Sequence, residues 1–211
     1  MAISHTFPPN YMRSKKLPCT CLTILDERTM AHKMVVLLSG WAGSGKDAAA
    51  ALLVEEMNFM RIAFADLLKA DVSEKSGIPL SAFHDPVTKD RPVAGLCQVT
   101  PRQLLLAHAR VVRSLDPDIY SRSLVDTVRE SEHGRFVVSD WRYKREYAVL
   151  RERLGPDALI VRGRILRPGL AVSEDPSEHD LDDETVDFTI MNDGCISDLR
   201  DLLKHEIRWR L

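Results

Sequence analysis

One short stretch constrains this chain more than any other. Met34-Val-Val-Leu-Leu-Ser39 runs into Gly40-Trp-Ala-Gly43-Ser44-Gly45-Lys46-Asp47, and an alanine-rich segment then continues from Ala48 to Met57. A continuous apolar run of this length suits a strand buried on both faces, the pattern of a parallel sheet covered by helices. The alanines beyond it have high helix propensity, so a helix should start near Gly45. Between strand and helix, the spacing Gly40-x-x-x-x-Gly45-Lys46 predicts a loop whose main-chain N–H groups turn inward around phosphate oxygens. The helix start adds partial positive charge, and Lys46 should reach the β- and γ-phosphates.

Strand-like and helix-like segments alternate downstream. Phe59–Phe64 reads as a short strand, 66–75 as a helix closed by Gly77-Ile-Pro79, and 83–99 as loop. Thr100-Pro101 offers an N-cap with proline at the first helical position, opening a helix over 102–113. Asp116-Pro117 opens another through about Arg129, with Tyr120, Leu124 and Val128 on one face. Phe136-Val-Val-Ser139 is a second buried-type strand, 144–154 a helix stopped by Gly155-Pro156, and 158–161 a further strand. Residues 188–191 form the last strand and 196–209 a terminal helix. This order predicts an α/β fold of three layers with a parallel central sheet flanked by helices.

No linker divides residues 34–211, which are expected to form one domain. Residues 1–33, with no acidic residue before Asp26 and prolines at 8, 9 and 18, read as a flexible N-terminal arm. Cys19-x-Cys21 lacks the partner pair a metal site needs. Lys plus Arg is 29 against 31 for Asp plus Glu, a net charge of −2, which argues against nucleic acid as a partner. No apolar run approaches the ~20 residues of a membrane span, and four cysteines are too few for a disulfide scaffold. A cytoplasmic protein without a membrane partner is expected.

Asp47 stands where a serine or threonine hydroxyl ordinarily meets Mg²⁺. A carboxylate is also a hard oxygen ligand, and it equally favours a helix start; both readings stand. Asp140, ending a buried strand, should lie at the carboxyl edge of the sheet, where open α/β sheets bind ligands and where it could help hold Mg²⁺. The arginines at 102, 110, 113, 142, 162, 164 and 167 suit binding of anionic substrates. Arg162-Gly-Arg164-Ile-Leu-Arg167-Pro-Gly169 has the makings of a short basic lid. The acidic run 174–184 reads as a solvated loop, and the histidines, without metal spacing, as structural or surface residues.

Gly-Ser-Gly-Lys-Asp, Phe64-Ala-Asp-Leu-Leu-Lys69, Thr100-Pro-Arg-Gln-Leu-Leu105 and Val138-Ser-Asp140-Trp-Arg142 followed by Glu146 together resemble the deoxynucleoside monophosphate kinases of bacteriophages and related viruses. Arg167-Pro-Gly169, Ser177-Glu178 and Ile190-Met-Asn192-Asp-Gly194 extend the likeness. The resemblance implies a P-loop kinase fold, ATP on the loop from Gly40 to Asp47 and Ala48, and a deoxynucleoside monophosphate facing it. It implies Lys46, Asp140, Arg142 and Arg167 as catalytic groups, Asp47 and Asp140 as the Mg²⁺ carboxylates, and Asp66, Lys69, Arg102, Arg113 and Glu178 on the acceptor side. It also allows a homodimer, and a host-cell cytoplasm if the source is viral. Phosphomevalonate kinases of the animal type share Ser-Gly-Lys-Asp, the Ser-Asp-x-Arg strand end and a late Ser-Glu pair; the Thr-Pro-Arg-Gln-Leu-Leu segment favours a nucleotide. A nucleotide-binding module without turnover is the third expectation. The chain departs from these families in carrying Trp41 and Ala42 where a basic residue is common.

Overall fold

The computed structural model describes residues 33–85, 87–93, 98–171 and 178–211. Residues 1–32 of the expected N-terminal arm, with its cysteine pair, lie outside them, and Lys33, placed in the arm by the sequence reading, begins the first strand. Five strands form one fully parallel sheet: β1 (Lys33–Ser39), β2 (Met60–Ile62), β3 (Arg135–Val138), β4 (Ala158–Leu166) and β5 (Phe188–Met191), in the order β2-β3-β1-β4-β5. Seven helices connect or follow them: α1 (Lys46–Met57), α2 (Phe64–Ser76), α3 (Ser81–His84), α4 (Pro101–Leu115), α5 (Ile119–Glu130), α6 (Lys144–Leu154) and α7 (Ile196–Arg208).

β1 is buried on both faces because its side chains alternate between two cores. Met34, Val36 and Leu38 pack with Ala49, Ala50 and Leu53 of α1 and Leu199, Leu203 and Ile207 of α7. Val35 and Leu37 pack on the other face with Leu124 and Val128 of α5 and Leu150 and Leu154 of α6. At its start, the Lys33 ammonium donates to the carbonyls of Val128, Arg129 (3.1 Å) and Ser131 (2.6 Å), groups that the end of α5 leaves without intrahelical partners. The sheet is thus sandwiched between α1 with α7 and α5 with α6, which is the three-layer arrangement. A satellite core of Val72, Ile78 and Phe83, with Leu104 and Leu105 against it, ties α2, α3 and α4 together.

Two boundaries differ instructively from the sequence reading. α2 begins at Phe64 rather than Asp66 because the carboxylate that caps it, Asp140, comes from 75 residues away. β4 runs to Leu166, not Val161, so Arg162, Gly163 and Arg164 belong to the sheet instead of a lid. The strand order places the chain's switch of direction between β1 and β3: β1 leads across β3 to β2, whereas β3 leads across β1 to β4. Loops leaving such a pair diverge and open a crevice at the carboxyl ends of the strands.

Candidate active site

The loop after β1 forms the floor of that crevice. Gly40, Gly43 and Gly45 have φ of +133°, +82° and +105°, the left-handed region that costs glycine little and other residues much. A turn closes it, with the Ser44 amide donating to the Trp41 carbonyl at 3.1 Å. No side chain caps α1, so the amides of its first turn have no intrahelical acceptor and are available to an anion. Asn192, from the turn after β5, clamps the loop from outside: its side-chain amide donates to the Ser44 carbonyl at 2.8 Å, and its own backbone N–H donates to Leu166. Ser44 Oγ is buried and has no hydrogen-bond partner.

Lys46 curls back over the loop. Its ammonium donates to the carbonyls of Gly40 at 2.5 Å and Trp41 at 2.8 Å. Burial holds it below the ordinary lysine range, Arg142 pushes the same way, and Glu178, Asp47 and Asp140 pull against them. Asp47 is exposed on the first turn of α1, and Ala48 packs against the core.

Opposite the loop, the end of β3 presents Asp140 and Arg142. Both Asp140 oxygens accept main-chain hydrogen bonds, from Phe64 N at 3.0 Å and Ala65 N at 2.8 Å. Burial pushes this carboxyl upward, against those two amides. Arg142 pairs with Glu178 at 2.9 Å, and the other Glu178 oxygen accepts from the Ala42 amide at 2.9 Å. One carboxylate therefore bridges the phosphate loop and the arginine facing it. Behind them, Trp41, Trp141, Arg142, Glu178 and Leu181 line a cavity of about 100 Å³.

The Arg142 turn is held from beneath by Glu146, whose Oε2 accepts from the amides of Arg142 (3.0 Å) and Tyr143 (3.1 Å). Arg113 stacks on the Tyr143 ring at 4.7 Å, donates to its hydroxyl at 3.2 Å and lies 3.9 Å from Glu146. The structure thus puts Arg113 under the site. Burial pushes the Glu146 carboxyl up to about 7. A group whose folded value is raised stabilises the fold fully below its unfolded value near pH 4.3 and loses that contribution as pH rises through 7. Wild type is therefore expected to lose about 2.5 kcal/mol more stability than Glu146→Gln between pH 5 and pH 8. Urea unfolding at the two pH values measures this; parallel pH slopes would exclude a buried, proton-binding Glu146.

Asp66 and Lys69 lie on the first turns of α2, the helix that Asp140 caps. Lys69 donates to Asp66 at 3.0 Å, Arg61 donates to the second Asp66 oxygen at 2.9 Å, and His84 lies 3.4 Å from the Lys69 ammonium. Arg102, at the start of α4 after a Thr100–Gln103 capping box, forms a two-pronged pair with Asp90 at 2.5 and 3.1 Å. Arg167 is exposed just beyond β4. The same loop brings Leu170 against Gly43, where a Cβ would lie 3.3 Å from it.

The acidic run is not simply solvated. Arg162 pairs with Glu184 at 3.1 Å and Asp187 at 3.2 Å, and Asp180 accepts from the Lys144 amide, capping α6. Arg164 donates to the carbonyls of Leu181 and Glu184. Arg162 and Arg164, expected as anion binders, are instead committed to pinning this run against β4. Glu146 and Asn192 carry local roles that their own sequence positions did not announce, since both work through main-chain groups remote in the chain or hidden inside a turn.

No protein-family model matches the chain. A 49-residue stretch is 45% identical to adenylate kinase of Hydrogenobaculum sp. (strain Y04AAS1), covering 23% of this chain and 23% of that protein, so the match spans under a quarter of the curated relative. Among solved structures, TT1252 from Thermus thermophilus is similar with a TM-score of 0.51 at 17% identity, over 85% of this chain and 99% of that one. Dephospho-CoA kinase from Campylobacter jejuni aligns with a TM-score of 0.48 at 13% identity, over 84% and 96% respectively. The fold is P-loop kinase-like. Among the described residues, no helix is long and apolar enough to cross a membrane.

Proposed function

We propose that this chain transfers the γ-phosphoryl group of ATP to a deoxynucleoside 5′-monophosphate, giving the diphosphate and ADP. The observation that carries the reading is the glycine-rich amide cradle between β1 and α1, closed by Lys46 and linked through a single carboxylate to Arg142. The stretch shared with an adenylate kinase supports a kinase, and the Thr100-Pro-Arg-Gln-Leu-Leu105 segment favours a nucleotide acceptor over phosphomevalonate.

In this reading the free amides at the start of α1 hold the phosphate chain, and Lys46 exchanges its bonds to Gly40 and Trp41 for the γ-phosphate. Arg142, Arg102 and Lys69 hold the acceptor phosphate, with Asp66 orienting Lys69 and Arg113 supporting the Arg142 turn. Arg167 closes over the transferring group. An acceptor phosphate oxygen attacks in line, no covalent protein intermediate is needed, and catalysis comes from positioning and charge stabilisation. The residues present fit a Mg²⁺ ion: Asp47 is an exposed hard-oxygen donor beside the cradle, and each Asp140 oxygen keeps a second lone pair. When bound, that ion neutralises charge on the phosphates. Small-molecule nucleotides are the only partners this chemistry requires, and the cytoplasm supplies them.

Coupled ADP release by the full chain with ATP, tested against dGMP, dTMP, dCMP, dAMP and phosphomevalonate, decides the acceptor. At least one deoxynucleotide is expected to turn over. Turnover with phosphomevalonate alone would move the acceptor to an isoprenoid precursor, and ATP binding without any acceptor-dependent ADP would make the chain a binding module.

A further inference from the structure

Glu178 occupies an unusual position for an acid. Its side chain is only 7% exposed, one oxygen accepts from the Ala42 amide at the rim of the phosphate loop, and the other pairs with Arg142 at 2.9 Å. It also acts electrostatically on Lys46. The three groups it engages are a loop amide, a guanidinium and an ammonium. That is a donor set suited to a terminal phosphate oxygen, with two of the three cations and amides already bound at hydrogen-bond distance by the protein's own anion.

We propose that Glu178 is a specificity-determining residue: a built-in anion that fills the γ-phosphate end of the loop, which a nucleoside triphosphate must displace and a nucleoside diphosphate leaves in place. The inference rests on the loop being the phosphate site. A diphosphate can use the amides of Lys46, Asp47 and Ala48 at the start of α1, which Glu178 does not touch. A third phosphate, extending toward Ala42 and Arg142, meets a carboxylate of like charge that holds the same donors. Two anions within a few ångströms of each other in a partly dry site repel strongly. The triphosphate therefore gives up part of its intrinsic affinity to dislodge Glu178. The diphosphate product loses nothing to it. By weakening the donor relative to its product, Glu178 narrows the gap between the two in affinity and makes occupancy of the rim conditional on a third phosphate.

Glu178→Gln keeps an oxygen that can accept from Ala42 and removes both the charge and the ion pair to Arg142. Isothermal titration with the non-hydrolysable β,γ-imido analogue of ATP, and separately with ADP, both with Mg²⁺, reads the effect directly. The analogue is expected to bind about tenfold more tightly to the variant than to wild type, and ADP within about twofold of wild type. A change shared equally by both ligands, or weaker analogue binding in the variant, would overturn the proposal, because a merely structural role moves both ligands together. Wild-type protein that binds neither ligand would instead overturn the phosphate-site reading itself, and the proposal with it. Should Glu178→Gln lose its cooperative melting transition, Glu178→Ser repeats the comparison, with water able to take the carboxylate's place at Ala42; the same selective tightening is expected.

Discussion

Lys46→Ala is expected to fold as wild type does and to lose phosphoryl transfer by ~10²–10³-fold, the cost of removing one preorganised charge from a developing anion. Folding should survive because two effects of opposite sign meet at this side chain. The ammonium makes hydrogen bonds to Gly40 and Trp41 at 2.5 and 2.8 Å, worth about 1 kcal/mol each. Burial, however, disfavours its charge and holds it below the ordinary lysine range, so removing it also removes a desolvation cost. The net change in unfolding free energy should stay within about 1–2 kcal/mol. The chemistry has no such compensation. No other lysine follows the loop's own backbone in this way among the described residues. A coupled ADP assay on the variant, beside its urea unfolding curve, separates the two. Turnover near the wild-type rate with a normal unfolding curve would remove Lys46 from the reaction.

How far the sequence alone reached depended on whether a signal was local. α6 and β5 match the sequence reading to the residue because their cues are local: Gly155-Pro156 stops α6, and Phe188, Ile190 and Met191 of β5 lead straight into a polar turn. α4 is similarly legible from Thr100 and Pro101, and the structure adds Gln103, which completes a capping box with Thr100. The sequence reading starts α2 two residues late because its cap is Asp140, a residue on another strand end. No pattern inside 59–66 encodes a carboxylate arriving from β3.

The basic segment 162–167 shows a different failure. Two arginines around a glycine look like a loop when their partners, acids for Arg162 and main-chain carbonyls for Arg164, are about twenty residues downstream. Gly163 is there because Phe188 of β5 lies across it: a Cβ would sit 2.2 Å from the ring. The acidic run and the basic strand are two halves of one contact, and each half alone suggests solvent or ligand. The phosphate loop was readable since strand, glycines, lysine and helix are contiguous. The contacts by which Asn192 braces the loop and Glu146 braces the facing Arg142 turn were not, because both side chains act on main-chain atoms, which the motifs containing them do not specify.

The second large effect concerns the loop's entrance. Gly40→Ala should destabilise the protein by about 3–5 kcal/mol, because two separate penalties fall on one methyl group. The backbone there has φ +133°, which L side chains rarely adopt. A Cβ would also lie 2.1 Å from the Ile165 carbonyl oxygen and 2.9 Å from Ser44 Oγ. The first obstacle is backbone near the end of β4, which is held by β1 up to the Ser39–Arg164 pair and by β5 from Gly163–Phe188 to Leu166–Met191, so it has no cheap way to retreat. Relief must come from the loop, which would swing Gly40 away and carry the Trp41 and Gly40 carbonyls off Lys46. Stability and nucleotide binding should therefore fail together. Gly134→Ala is the matched control: nothing lies within 4 Å of its Cβ and its φ is ordinary, so the change should stay within about 0.5 kcal/mol. Urea unfolding of the two variants, with nucleotide titration of whatever folds, measures both consequences. If Gly40→Ala matched Gly134→Ala in stability and bound nucleotide like wild type, β1 and β4 would not approach as closely as the cradle requires, and the geometry on which Lys46 and Glu178 depend would be lost with it.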